Sequence, residues 1–243
     1  MAARAAASKL GNQKANVGQR PSWVFHWFRE RSLTLTVMAV FALTWIGQIW
    51  AGHLDFNQEL LDHGAPALSL VEYIGAGHMW EATFENWESE FLQMCAFVVM
   101  TAFLFQKGSP ESRRIGAIEE SDADPRRFRD LPDVPSPVRR GGWRLRLYEY
   151  SLGLAFGALF VVSLAGHSIG GWRTVVAEQL LEGQSPPTWI EFVTSARFWF
   201  ESLQNWQSEF LSIAAMVWLS VYLRHRGSPE SKPVHAAHDQ TGR

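Results

Sequence analysis

Apolar positions in this chain gather into a few long runs separated by polar, charged or proline-containing stretches. Ser32 to Ala51 contains no charged side chain. About 20 mostly apolar residues suffice for a helix to cross a hydrocarbon core about 30 Å thick. The second run, Phe91 to Phe105, stops at Gln106-Lys107-Gly108-Ser109-Pro110, a helix terminator with a glycine and a later proline. Alone it is too short to cross, so the helix has to extend back through Glu90 and Asn86. Two further runs follow, and the pattern predicts spans at about 32–51, 84–105, 151–169 and 198–223. The expected fold is an all-α membrane protein with four transmembrane helices.

The runs come in pairs. Asn86-Trp87-Glu88-Ser89-Glu90-Phe91-Leu92 returns as Asn205-Trp206-Gln207-Ser208-Glu209-Phe210-Leu211, 119 positions later. Gly108-Ser109-Pro110-Glu111-Ser112 returns as Gly227-Ser228-Pro229-Glu230-Ser231 at the same offset, and so do Glu30, Gly47, Glu59, Gly64 and Glu72. A fixed period is the mark of a repeated structural unit. The organisation expected is a tandem duplication of a two-helix unit. Residues 1–21 form a disordered tail, 22–112 the first unit, 113–141 a Pro/Arg/Asp-rich linker, 142–231 the second unit, and 232–243 a second disordered tail. Ser69-Leu70-Val71-Glu72 and Thr188-Trp189-Ile190-Glu191 both have capping-box spacing, which accounts for their glutamates structurally.

Charge sets the orientation. Six Lys or Arg lie at or before Arg31, ten between Lys107 and Arg146, and four after Leu223, against Arg173 and Arg197 alone in the two other loops. Twenty of 22 on one side places both termini and the linker in the cytoplasm. Two spans per unit make the repeats parallel. The net charge of −2 gives no argument for nucleic acid, and the single cysteine, Cys95, excludes an internal disulfide. Twelve tryptophans fit a chain with membrane–water interfaces.

At 100° per residue, Asn86, Ser89, Glu90, Gln93, Phe97 and Thr101 share a helix face, as do Asn205, Ser208, Glu209, Ser212, Met216 and Ser220. Trp87, Phe91 and Val98 fall to one side, toward lipid. Polar stripes on spanning helices turn toward other helices or water. Glu90 lies roughly 22 Å above Phe105, and Gln48 roughly 24 Å above Ser32. The candidate site is therefore one outer polar layer of Glu90, Glu209, Asn86, Asn205, Gln48 and His167. Such a layer can bind a cation or pass a proton, or it can simply hold helices together. Gly153-x-x-x-Gly157 and Gly166-x-x-x-Gly170 permit close helix approach. His53, Asp55, His63, His78 and Glu81 enrich the first outer loop, but their offset partners carry no such set, so a solvated acidic surface is expected rather than a metal. No nucleophile elbow, P-loop or dinucleotide fingerprint occurs; no catalytic residues, cofactor or enzymatic activity are expected.

The segments Glu85 to Gln93, Phe103 to Ser112 and Arg29 to Leu33 resemble a family of bacterial integral membrane proteins known only as a domain of unknown function. The similarity covers about residues 22–232. It implies a multi-pass protein of the bacterial inner membrane and assigns no residue a role. Two function classes are expected: a small-cation or proton pathway or sensor, or a structural protein whose linker recruits a cytoplasmic partner. The oligomeric state is open.

Overall fold

The computed structural model describes residues 23–242. The tail expected at 1–21 lies outside the described residues. Among those described there is no strand. The helices are α1 (Trp23–Glu30), α2 (Ser32–Asp62), α3 (Leu70–Ile74), α4 (Gly77–Phe103), α5 (Ser136–Arg140), α6 (Gly142–Glu149), α7 (Ser151–Leu181), α8 (Trp189–Val193) and α9 (Ala196–Tyr222). Helices α7, α8 and α9 begin and end 119 residues after α2, α3 and α4 (32 and 151, 70 and 189, 77 and 196). Two of them, α2 and α7, are long and apolar enough to cross a membrane.

The chain divides into two compact units, one ending at Gly52 and one beginning at His53. In the first, Leu33, Val37, Val40, Leu43 and Ile46 are exposed along α2. The Thr44 hydroxyl donates to the carbonyls of Val40 and Phe41, so it spends no polar capacity outside its own helix.

In the second unit α4 packs along α7, with α9 against α4. Glycines set how closely the first pair approaches. A Cβ on Gly166 would lie 2.4 Å from the Phe84 ring, one on Gly170 2.6 Å from the backbone nitrogen of Glu81, and one on Gly157 3.6 Å from Cys95 Sγ. Rising numbers on α7 meet falling numbers on α4, so the two helices run antiparallel. Both small-residue pairs named from the sequence therefore lie in this contact.

Helices α2 and α4 reach beyond the expected spans, to Asp62 and back to Gly77. Polar sequence can stop a membrane span without stopping a helix. Beyond Gly52, Phe56 rests on Tyr73 and His78. Asn57 exchanges two hydrogen bonds with the Leu68 backbone, and His53 Nε2 lies 2.8 Å from the Leu68 carbonyl. Trp172 Nε1, at the position 119 after His53, donates to the Pro187 carbonyl at 2.9 Å. A loop-pinning role thus accounts for His53. His63 Nδ1 lies 2.9 Å from its own helix carbonyl at Glu59, and His78 Nδ1 3.1 Å from the Tyr73 hydroxyl.

The two Gly-Ser-Pro-Glu-Ser motifs form the same turn. Gly108 and Gly227 both have φ of 87°, in the region that favours glycine. Ser109 and Ser228 hydroxyls accept from the backbone nitrogens of Glu111 and Glu230, and Ser112 and Ser231 hydroxyls from those of Gln106 and His225. Residues 232–242, expected as a disordered tail, instead fold back. The buried Lys232 Nζ donates to the carbonyls of Ala237, His238 and Gln240 at 3.0–3.1 Å. The Gly242 nitrogen then donates to the Ser109 carbonyl, and that of Gly108 to the Thr241 hydroxyl. The linker expected at 113–141 is also partly folded. It contains 3-10 turns at Glu120–Asp122 and Pro125–Phe128, and Arg113 pairs with Asp122. In both segments a basic side chain finds partners several residues ahead, which composition does not reveal.

Gly170→Ala should destabilise the fold by about 1–3 kcal/mol because its Cβ meets backbone. Gly47→Ala, with open space around it, should be neutral or stabilising by up to about 1 kcal/mol. Thermal unfolding of both variants in the same detergent checks this. The capping boxes also predict a pH effect. The Glu72 and Glu191 carboxylates accept from Ser69 and Thr188, which holds both below the usual glutamate value. Their stabilising contribution should be complete above about pH 4.5 and fade as pH falls through the depressed values. Carboxyl carbon shifts of the two glutamates should titrate below those of an uncapped glutamate.

Candidate functional site

Glycine at 166 and 170 brings α4 close enough to α7 for side chains on both to meet in the interior, and α9 packs against α4 beside them. His167 is completely buried there. Its Nδ1 lies 2.9 Å from Oε2 of Glu88, which is equally buried. At that separation one proton lies between the two atoms. The other Glu88 oxygen accepts from Trp206 Nε1 at 3.0 Å, so one carboxylate ties together three helices.

The opposite edge of the imidazole is different. His167 Nε2 lies 3.7 Å from Glu201 Oε2, within ion-pair reach but beyond hydrogen-bond length. Among the described residues neither atom has a hydrogen-bond partner. The second Glu201 oxygen accepts from Arg197 Nε at 3.0 Å, and the same guanidinium grips Glu178 on α7 through both of its oxygens at 2.7 and 3.3 Å. Asn205 Nδ2 donates to Glu85 Oε1 at 2.6 Å. Glu81 is buried one turn further along α4.

Together these groups form a ladder from Arg197 and Glu178, which are part-exposed, to the sealed Glu88–His167 pair. Along α9 it descends about 13 Å from Arg197 to Trp206. Five carboxylates (Glu81, Glu85, Glu88, Glu178, Glu201) face one arginine and one histidine. Beyond Glu88 the α4–α7 contact turns apolar or weakly polar, with Cys95 donating to the Gly153 carbonyl and Val98 and Val99 approaching Gly153. Chemically, the arrangement can hold a variable number of protons. Among the described residues no group of three or more His, Cys, Asp or Glu has the geometry to hold a metal ion.

Of the six positions named from the sequence, His167 and Asn205 belong to this network. Glu90 is exposed on α4, and Glu209 is half-buried on α9. Gln93 joins their helices by donating to the Glu209 carbonyl and the Ser212 hydroxyl at 2.9 and 2.8 Å. Asn86 is exposed and donates to the Ala82 carbonyl in its own helix. Gln48 lies in the N-terminal unit and is exposed. Trp206 points at Glu88, whereas its counterpart Trp87 was expected to face lipid.

The network residues missed from the sequence had a visible signal. Glu81, Glu85 and Glu88 are spaced four and three apart, one acidic face of α4. Glu88 is also the one position at which the two copies of the seven-residue motif differ.

Removing one partner of a buried ion pair costs about 3–5 kcal/mol because the other is left uncompensated. Glu88→Ala, which strands both His167 Nδ1 and Trp206 Nε1, should lose about that much. Glu90→Gln should change stability by less than about 0.5 kcal/mol, as exposed substitutions do. Denaturation of the two variants side by side separates the buried carboxylate from the exposed one.

Neither a curated protein nor a solved structure matches the chain. Its match is to the family model described as domain of unknown function DUF6766, over residues 24–243. Nearly the whole chain takes part, and the protein belongs to that family.

Proposed function

We propose that this protein is a proton sensor in a bacterial inner membrane. It is built from two parallel copies of a two-helix unit, crosses the membrane four times as α2, α4, α7 and α9, and keeps both termini and the linker in the cytoplasm. The distribution of arginine and lysine supports the orientation, and the element boundaries that recur after 119 residues support the duplication. The observation that carries the function is His167, fully buried between two carboxylates from two other helices, with Nε2 and Glu201 Oε2 unpartnered among the described residues. An ionisable cluster inside a membrane bundle is a functional site by default.

The reading follows from the ladder. A proton from the outer side enters at the Arg197 mouth, where the guanidinium and the His167 ring both face Glu201. It is taken up by Glu81, which is buried on the acidic face of α4 and forms no ion pair among the described residues. Glu81 Oε1 lies against Gly171 of α7, so protonating it removes a buried charge beside that helix and shifts the charge balance around Arg197 and His167, which reports outer acidity to α7 and α9. The chain of ionisable groups stops at Glu88, which favours a sensor over a continuous proton path. The counterparts of His167, Glu201, Glu85 and Glu88 are Gln48, Ala82, Gln204 and Gln207, and only Glu178 and Arg197 have ionisable counterparts, Glu59 and His78, so the buried part of the network has no second copy. The protein carries out no catalysis.

Infrared difference spectra of the protein in lipid between about pH 5 and pH 8, the range of histidine-linked switches, provide the test. A protonated-carboxyl band should appear on acidification, vanish in Glu81→Gln and shift or weaken in Glu201→Gln and Glu88→Gln. It should persist in Glu90→Gln. An unchanged band in Glu81→Gln would leave the network as helix glue. Net proton flux into vesicles under a pH gradient would replace the sensor by a pathway.

A further inference from the structure

Helix α6 (Gly142–Glu149) is separated from the start of α7 by a single residue, Tyr150. Its residue Leu145 is 1% exposed, which anchors the helix to the fold. On the other side Trp143, Leu147 and Tyr150 are 70%, 53% and 67% exposed, and their spacing of four and three places them in one stripe. Arg144 and Arg146 flank that stripe, with the Arg144 guanidinium 5.6 Å from the centre of the Trp143 ring. Upstream lie Arg126, Arg127, Arg129, Arg139 and Arg140. Seven arginines between 126 and 150, less Asp130, Asp133 and Glu149, leave a net charge of +4. All seven are exposed, and among the described residues Arg126, Arg127, Arg140, Arg144 and Arg146 form no ion pair.

Helix α1 has the same character. It begins 119 residues before α6 and immediately precedes α2. Phe25, Trp27 and Phe28 are exposed, and Arg31 lies 4.8 Å over the Trp27 ring. Aromatic side chains with arginine beside them, just ahead of a long apolar helix, suit the headgroup level of a bilayer, where the ring is half in hydrocarbon and the guanidinium meets phosphate. A short apolar stripe is too small to hold a segment there alone, and positive charge adds the second attraction.

We propose that residues 126–150 form a docking surface for anionic phospholipid headgroups, with Trp143, Leu147 and Tyr150 entering the interface and the arginines binding the lipid phosphates. The proposal rests on α7 crossing the membrane, since that places α6 at the cytoplasmic leaflet. It does not rest on the proton-sensing role. The charge complementarity commits the surface to anionic lipid, because a zwitterionic leaflet offers no net attraction for a charge of +4. Docking would couple the linker to leaflet composition, independently of the Glu88–His167 site at the other side of the bundle.

The test uses the full chain with Cys95→Ala and one spin label, at Leu147→Cys or at Leu159→Cys on the exposed apolar side of α7. Nanodiscs are of phosphatidylcholine alone or mixed with phosphatidylglycerol. With the anionic lipid, the label at 147 should gain collisions with oxygen and lose collisions with a water-soluble relaxant. Each arginine near an anionic surface is worth about fivefold, so Arg144→Gln with Arg146→Gln should shift the label back toward water by about 25-fold. High salt should act in the same direction. A label at 147 that stays in water in both discs, while the label at 159 stays in hydrocarbon, would overturn the docking surface and leave an acidic protein as the partner for these arginines. Water access at 159 would overturn the spanning helix, and the docking surface with it.

Discussion

A carboxylate carried into the interior of a helix bundle has to find its partners there. Glu88 does so twice, with one oxygen at the His167 ring and the other at the Trp206 indole, and those two contacts hold α7 and α9 against α4. A packed interior supplies few other hydrogen-bonding groups, so the alternative for each atom is to remain unpaired at a cost of several kcal/mol. The contact is possible only because Gly166 and Gly170 let the helix backbones approach. Glycine costs helix propensity, and here the loss is offset by a polar contact that a bulkier stripe would prevent.

The ladder above that pair gives Arg197 its place. Arg197 joins Glu178 on α7 to Glu201 on its own helix, and Glu201 in turn faces His167. Excess negative charge in a confined space makes the protonation state responsive, since like charges in low dielectric cannot all ionise cheaply. The same groups therefore serve packing and proton binding, and any account of one has to include the other.

Elsewhere the two halves repeat small local devices. A hydroxyl and a glutamate close the capping boxes at Ser69 and Thr188, serine hydroxyls shape the turns after α4 and α9, and Gly64 and Gly183 end α2 and α7 with nearly equal positive φ. The halves differ where charge was placed. His167 corresponds to Gln48 and Glu88 to Gln207, so local scaffolding recurs while the ionisable network occurs once.

Much of this architecture was legible in the sequence because it depends on neighbours in the chain. Apolar runs, capping boxes and turn serines are satisfied within a few residues, and the 119-residue offset needs no geometry to see. The face that α4 turns inward was not legible. Glu88 and Glu90 stand two residues apart, about 200° around the helix, and polar side chains occupy both sides. Periodicity alone therefore drew the stripe through Asn86, Glu90 and Gln93. The docking of α7 decided otherwise, because its glycines and His167 receive the Glu81–Glu85–Glu88 face. Lys232 tells the same story at the other end: its composition reads as tail, and only three carbonyls gathered by the returning chain give its ammonium a buried place. Local hydrogen bonding is encoded where it is read, whereas the partner of a buried charge is set by whichever distant helix comes close enough.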